Sequence, residues 1–123
     1  MTRRVLVVDD DRQMVKTIRA ILDHRGWETI PAYSGEEAVE TAKSEPPFKA
    51  VLMDVRMPGM NGVEACLQMH AARPDMPVIL MTAYAAQEIL AQARRAGVVT
   101  IFPKPLAWPK LMAQLDRLPN GTS

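Results

Sequence analysis

The chain is poor in the residues that most often carry chemistry: of 123 residues, one is Cys and two are His. A lone Cys66 cannot form an internal disulfide, and with only His24 and His70 to accompany it, neither a zinc centre nor a Cys–His nucleophile has support. Cys66 reads instead as a small core residue. Long apolar runs are also missing: nothing approaches the roughly 18 residues needed to cross a bilayer. The stretch Val5-Leu-Val-Val8 is too short for a signal-peptide core and has no small-residue cleavage site after it. The expectation is a cytoplasmic protein with no membrane contact. Charge of one sign is lacking too, since 15 Lys and Arg against 14 Asp and Glu leave +1, so no direct contact with nucleic acid is expected. The length suits one domain with its own hydrophobic core and leaves no room for a second.

What is present is an alternation of short apolar runs with longer segments of helical period, the pattern of an α/β fold with a parallel sheet and helices on both faces. The runs are Val5 to Val8, Glu28 to Ala32, Ala50 to Met53, Val78 to Met81 and Thr100 to Phe102. The first, third and fourth are almost wholly apolar, as for strands covered on both faces; the second is more polar and suits an edge. A first helix is expected from about Arg12 to Arg25 with Val15, Ile18 and Leu22 on one stripe, Asp11 capping it and Gly26 just past its end. Ser34-Gly-Glu-Glu37 and Asn61-Gly-Val-Glu64 have capping-box spacing and predict the starts of the second and third helices; Val63, Cys66 and Leu67 of the third are expected to face the sheet. The fourth helix, about Ala85 to Ala96, is Ala-rich with only Ile89 and Leu90 as larger apolar residues, which predicts thin packing and an easily shifted position. The last begins near Pro109 and turns Leu111, Leu115 and Leu118 inward, giving a domain over 1–119 and a terminal tail or linker stump over 120–123.

Ligands of open α/β sheets bind at the carboxyl ends of the strands. Those ends carry Asp9-Asp10-Asp11, Asp54, Thr82 and, just past the fifth run, Lys104. If the first and third strands are neighbours, Asp9, Asp10 and Asp54 share one crevice, where they raise one another's pKa unless a cation intervenes. Carboxylate oxygens suit Mg²⁺, with Mn²⁺ as a substitute. A carboxylate can also attack phosphorus when the charge on the phosphoryl oxygens is neutralised, and the metal, Lys104 and Thr82 supply three neutralising groups.

The pattern Val7-Val-Asp-Asp10, Met53-Asp54-Val-Arg-Met-Pro-Gly59-Met-Asn-Gly62, Met81-Thr82-Ala83 and Lys104-Pro105 resembles, over essentially the whole chain, the receiver domain of two-component response regulators. The resemblance implies a flavodoxin-like, doubly wound five-stranded sheet of order 2-1-3-4-5. It implies Asp54 as phosphoacceptor and member of the metal site, Asp10 as a direct Mg²⁺ ligand, Asp9 as a ligand through water and Arg56 as a ligand through its backbone carbonyl. Thr82 and Lys104 would bind the phosphoryl group, and the bond before Pro105 would be cis. The implied function is a phosphorylation-dependent switch rather than an enzyme, apart from self-phosphorylation and slow self-dephosphorylation. The implied partners are a histidine kinase or phosphotransfer protein, a downstream protein or missing output domain, and a second copy on activation.

Three features depart from the pattern or qualify it. Ile101 stands where family members carry the aromatic ring that swings inward on activation, and strand alternation points the adjacent Phe102 to the other face. Pro103 stiffens the approach to Lys104. Arg56 and Tyr84, two residues past Asp54 and Thr82, border the path that the resemblance assigns to hydrolytic water. Arg56 also occupies the place where an aspartate-dependent phosphohydrolase needs its second Asp as general acid. A flavin carrier of the same fold would need a phosphate-cradling loop where the three aspartates stand.

Overall fold

The computed structural model describes residues 3–119, so the expected tail over 120–123 lies outside the described residues. Five strands, β1 (Arg3–Val8), β2 (Trp27–Ala32), β3 (Ala50–Asp54), β4 (Val78–Thr82) and β5 (Thr100–Pro103), alternate with five helices, α1 (Arg12–His24), α2 (Gly35–Ser44), α3 (Gly62–Ala72), α4 (Gln87–Arg95) and α5 (Trp108–Arg117). The strands are parallel in the order β2-β1-β3-β4-β5, the flavodoxin-like arrangement expected.

Side chains alternate across a pleated strand, and here each sheet face is covered by helices. Leu6, Val8, Val51, Met53, Val78 and Leu80 meet α2, α3 and α4 in one core. Val5, Val7, Leu52, Ile79 and Met81 meet Val15, Ile18 and Leu22 of α1 and Leu111 and Leu115 of α5 in the other. Leu118 and Trp108 are partly buried against that second core. Cys66 is fully buried, as its reading required.

The caps explain where the helices start. Asp11 accepts from the backbone N–H groups of Gln13 and Met14 and so opens α1. Asn61 and Glu64 form a reciprocal capping box on α3. At α2 the box is only half made: Ser34 accepts from Glu37 N, but the Glu37 carboxylate reaches past the cap to Tyr33 N at 3.2 Å.

Two further expectations need revision or sharpening. Leu67 does not face the sheet; it is 54% exposed, while Ala65 and Met69 are buried with Val63 and Cys66. With these four residues of α3 buried, Leu67 is left on the rim of a groove beside Gln92 and Arg95 of α4. Helix α4 is indeed thinly held: it buries only Ala93, its N-cap Ala86 makes no side-chain cap bond, and Ile89 is partly packed. Three fully buried aliphatics such as those of α1 contribute about 1.5–3 kcal/mol each; a buried alanine contributes far less.

The outer strands end in a matched device. Ala32 turns its carbonyl inward to Asp9 N and Lys104 turns its N–H inward to Thr82 O. Backbone direction alternates along a strand, so the preceding Pro31 and Pro103 present their donorless nitrogens outward. Outward prolines belong on edge strands.

Candidate functional site

The carboxyl edge of the sheet gathers the polar residues that the core excludes. Asp9 follows β1, Asp54 ends β3 and Thr82 ends β4, all three buried, while Lys104 follows β5. One carboxylate oxygen from each of Asp9, Asp10 and Asp54 lies within 4.8 Å of the other two. The Lys104 ammonium donates to Asp9 Oδ2 at 2.7 Å and stands 3.5 Å from Asp54 Oδ1. Asp9 Oδ1 is also engaged, accepting from Asp11 N at 3.0 Å. The Lys104–Pro105 peptide bond is cis.

Three carboxylates facing one ammonium leave the crevice short of positive charge. Burial, and then the neighbouring Asp9 carboxylate, push the Asp54 carboxyl up from 3.8 to about 6, against the pull of Lys104. Burial works to lower the Lys104 ammonium, but its hydrogen bond to Asp9 and the charges of Asp54 and Asp9 outweigh that and hold it above its ordinary value. Hard oxygen donors at this spacing fit Mg²⁺ or a similar divalent ion, and the raised Asp54 carboxyl is the electrostatic demand such an ion would meet.

The loop between Asp54 and α3 is closed by Gly62 N donating to Val55 O at 2.8 Å. Gly59 turns it with φ +75°, and Glu36 of α2 accepts weakly from Met60 N at 3.4 Å. A side chain on Gly62 would collide with the Asp54 carbonyl oxygen and the Val55 backbone. Gly62→Ala is therefore expected to cost about 1–3 kcal/mol, the range for overpacking, and to weaken divalent-ion binding because the acceptor strand must shift. Urea unfolding with a parallel Mg²⁺ titration checks both. Neither role is legible in the sequence: Glu36 reaches the loop from α2, and Gly62 closes back on the end of β3.

Thr82 lies at its expected strand end, but its hydroxyl faces local backbone, donating to Tyr84 O at 2.9 Å and accepting from Tyr84 N at 3.1 Å. To meet a ligand oxygen it must rotate out of this turn. The Arg56 guanidinium lies over the Tyr84 ring at 5.2 Å. Ile101 packs against the α2–α4 core, and Phe102 packs against the opposite one.

A family model described as the response regulator receiver domain matches residues 5–116. The chain belongs to that family. Receivers are phosphorylation-dependent signalling modules. Response regulator MprA of Mycobacterium ulcerans (strain Agy99) is 35% identical to this receiver over 122 residues, 99% of this chain and 52% of that protein. The chain thus spans about half the length of the curated relatives it matches. The receiver domain of sensor histidine kinase PA1611 from Pseudomonas aeruginosa PAO1, solved with a magnesium ion in its active-site cleft, is 28% identical with a TM-score of 0.86, covering 96% of this chain and 98% of that one. A Burkholderia pseudomallei response regulator solved with a phosphorylated aspartic acid, calcium and citrate is 25% identical with a TM-score of 0.84, covering 92% and 66%. Among the described residues, no helix of this receiver is long and apolar enough to cross a membrane.

Proposed function

We propose that this receiver, residues 1–119, takes a phosphoryl group on Asp54 from a histidine kinase or phosphotransfer protein in the cytoplasm and signals through α4, β5 and α5. The observation that carries the reading is the convergence of Asp9, Asp10, Asp54 and Lys104 at three strand ends. An Asp54 carboxylate oxygen attacks phosphorus as the phosphorus–nitrogen bond of a phosphohistidine breaks, the electron pair leaving on the imidazole nitrogen. Lys104 is close enough to follow a phosphoryl oxygen on Asp54, and Thr82 reaches another after leaving its turn. With both carboxylate oxygens of Asp9 already engaged, Asp9 suits a ligand acting through water, while Asp10, Asp54 and the Arg56 carbonyl would hold Mg²⁺ or Mn²⁺ directly. The ion, when bound, neutralises phosphoryl charge. The magnesium of the Pseudomonas receiver and the phosphoaspartate of the Burkholderia regulator support this reading by similarity.

The test is addition of a small phosphodonor with and without Mg²⁺, followed by residue mapping of the acid-stable, base-labile mass gain. Label anywhere but Asp54, or label indifferent to metal, defeats the assignment. Turnover of an external phosphate ester would favour a phosphohydrolase instead.

Arg56 and Tyr84, two residues past Asp54 and Thr82 and stacked on each other at 5.2 Å, would screen the acceptor from hydrolytic water. In the Arg56→Ala/Tyr84→Ala variant, we expect the aspartyl phosphate to decay several-fold faster in a single-turnover decay assay. An unchanged lifetime would mean that the stack does not screen water. The output is passed to a downstream protein, an output domain or a second copy. With Ile101 replacing a swinging ring, displacement of the thinly packed α4 carries the signal when Thr82 leaves its turn.

A further inference from the structure

His70, in the last turn of α3, plays no part in the acceptor site, yet its ring joins three elements. Nδ1 lies 3.0 Å from the carbonyl oxygen of Ala96, the C-cap of α4, and Nε2 lies 2.8 Å from the carbonyl oxygen of Met76 in the corner before β4. Carbonyls only accept, and a neutral imidazole donates from one nitrogen, so both bonds exist together only when the ring carries two protons. Helix C-termini favour positive charge, and the ends of both α3 and α4 meet here.

The surroundings offer the ring no competing acid. Cys66 Sγ lies 3.7 Å from Nδ1; burial pushes that thiol up to about 11 and keeps it neutral. Arg73 turns away to the Glu45 carbonyl at 2.9 Å, and Asp75 of the same corner is exposed. The last turn of α4 contributes Arg94 and Arg95. Among the described residues, no ion pair involves His70.

The geometry points to His70 as a proton-dependent latch: the imidazolium pins the end of α4 to the α3–β4 corner, and loss of the Nδ1 proton, which leaves that nitrogen to accept from the neutral Cys66 thiol, withdraws the bond to Ala96 O and loosens α4. Because α4 buries only one alanine, the charge-assisted hydrogen bond from Nδ1 to Ala96 O is a large share of what holds its end. The latch does not depend on which residue accepts the phosphoryl group.

The test follows α4 amide protection, corrected for intrinsic exchange, alongside the His70 ring resonances across about pH 5 to 8, the span in which histidine changes charge. Protection of α4 is expected to fall at least about tenfold as the ring loses its proton, the scale of one charge-assisted hydrogen bond, while β1 and β3 amides hold steady. His24→Gln, at the exposed end of α1, should leave the transition intact; His70→Ala should abolish it and leave α4 weakly protected at every pH. If His70→Ala does not fold, the wild-type and His24→Gln titrations decide alone. Protection of α4 that stays constant through the ring's titration, or a transition that survives in His70→Ala, overturns the proposal.

Discussion

Asp54→Asn is expected to stabilise the metal-free protein by about 2–3 kcal/mol near neutral pH while abolishing phosphoryl uptake. The physical cause is the cost of ionising a buried carboxylate beside Asp9. Its folded value of about 6 lies well above the ordinary 3.8, a difference that corresponds to roughly 3 kcal/mol. A carboxyl raised by folding costs stability in full above the folded value, and the cost fades as pH falls through about 6 and vanishes below 3.8. The advantage of the Asn variant should therefore be large near pH 7 and small near pH 4. Urea unfolding in a chelator at both pH values measures it. Equal stabilities near neutrality would show that the carboxylate is not strained in the way described.

Lys104→Met should move metal affinity and phosphoryl uptake in opposite directions. The ammonium competes with any cation for Asp9 Oδ2, to which it donates at 2.7 Å, and for Asp54 Oδ1 at 3.5 Å. Without it the crevice gains a full unit of negative charge, and divalent ions should bind about 10–100-fold more tightly, the scale of a partly screened pair a few ångströms apart. Phosphoryl transfer should slow by about 10²–10³, the typical loss when a donor aimed at developing charge is removed. Isothermal titration with Mg²⁺ and phosphodonor kinetics read the two effects separately. A parallel fall in both would assign Lys104 to holding the site together rather than to the phosphoryl group.

The parts of the fold that were legible in the sequence are those where one local rule decides. Strands β1, β3 and β4 are covered on both faces and announce themselves as unbroken apolar runs, while Asp11 and Asn61 announce helix starts through the geometry of a single turn. The position of Asp9, Asp54, Thr82 and Lys104 at one sheet edge followed from each lying just past such a run. What was not legible depends on how separate elements meet. Leu67 has the sequence look of a core residue, yet α3 buries Ala65 and Met69 with Val63 and Cys66 and leaves Leu67 on the rim of the groove beside α4. Glu37 satisfies Tyr33 rather than its own cap because Tyr33 N lies within its reach. The turn that occupies the Thr82 hydroxyl is a choice of rotamer, which residue type does not reveal. The ring of His70 finds two carbonyls more than five residues away, contacts that no spacing rule encodes.

Pro31 and Pro103 bear on what this protein can assemble into. At the outer margin of each edge strand, a nitrogen that cannot donate interrupts the ladder that a further strand would need. Growth of the sheet from one molecule into the next, the route to cross-β stacking, is blocked on both sides. A crowded signalling module can then associate through the surfaces of its helices without the hazard of polymerising through its backbone.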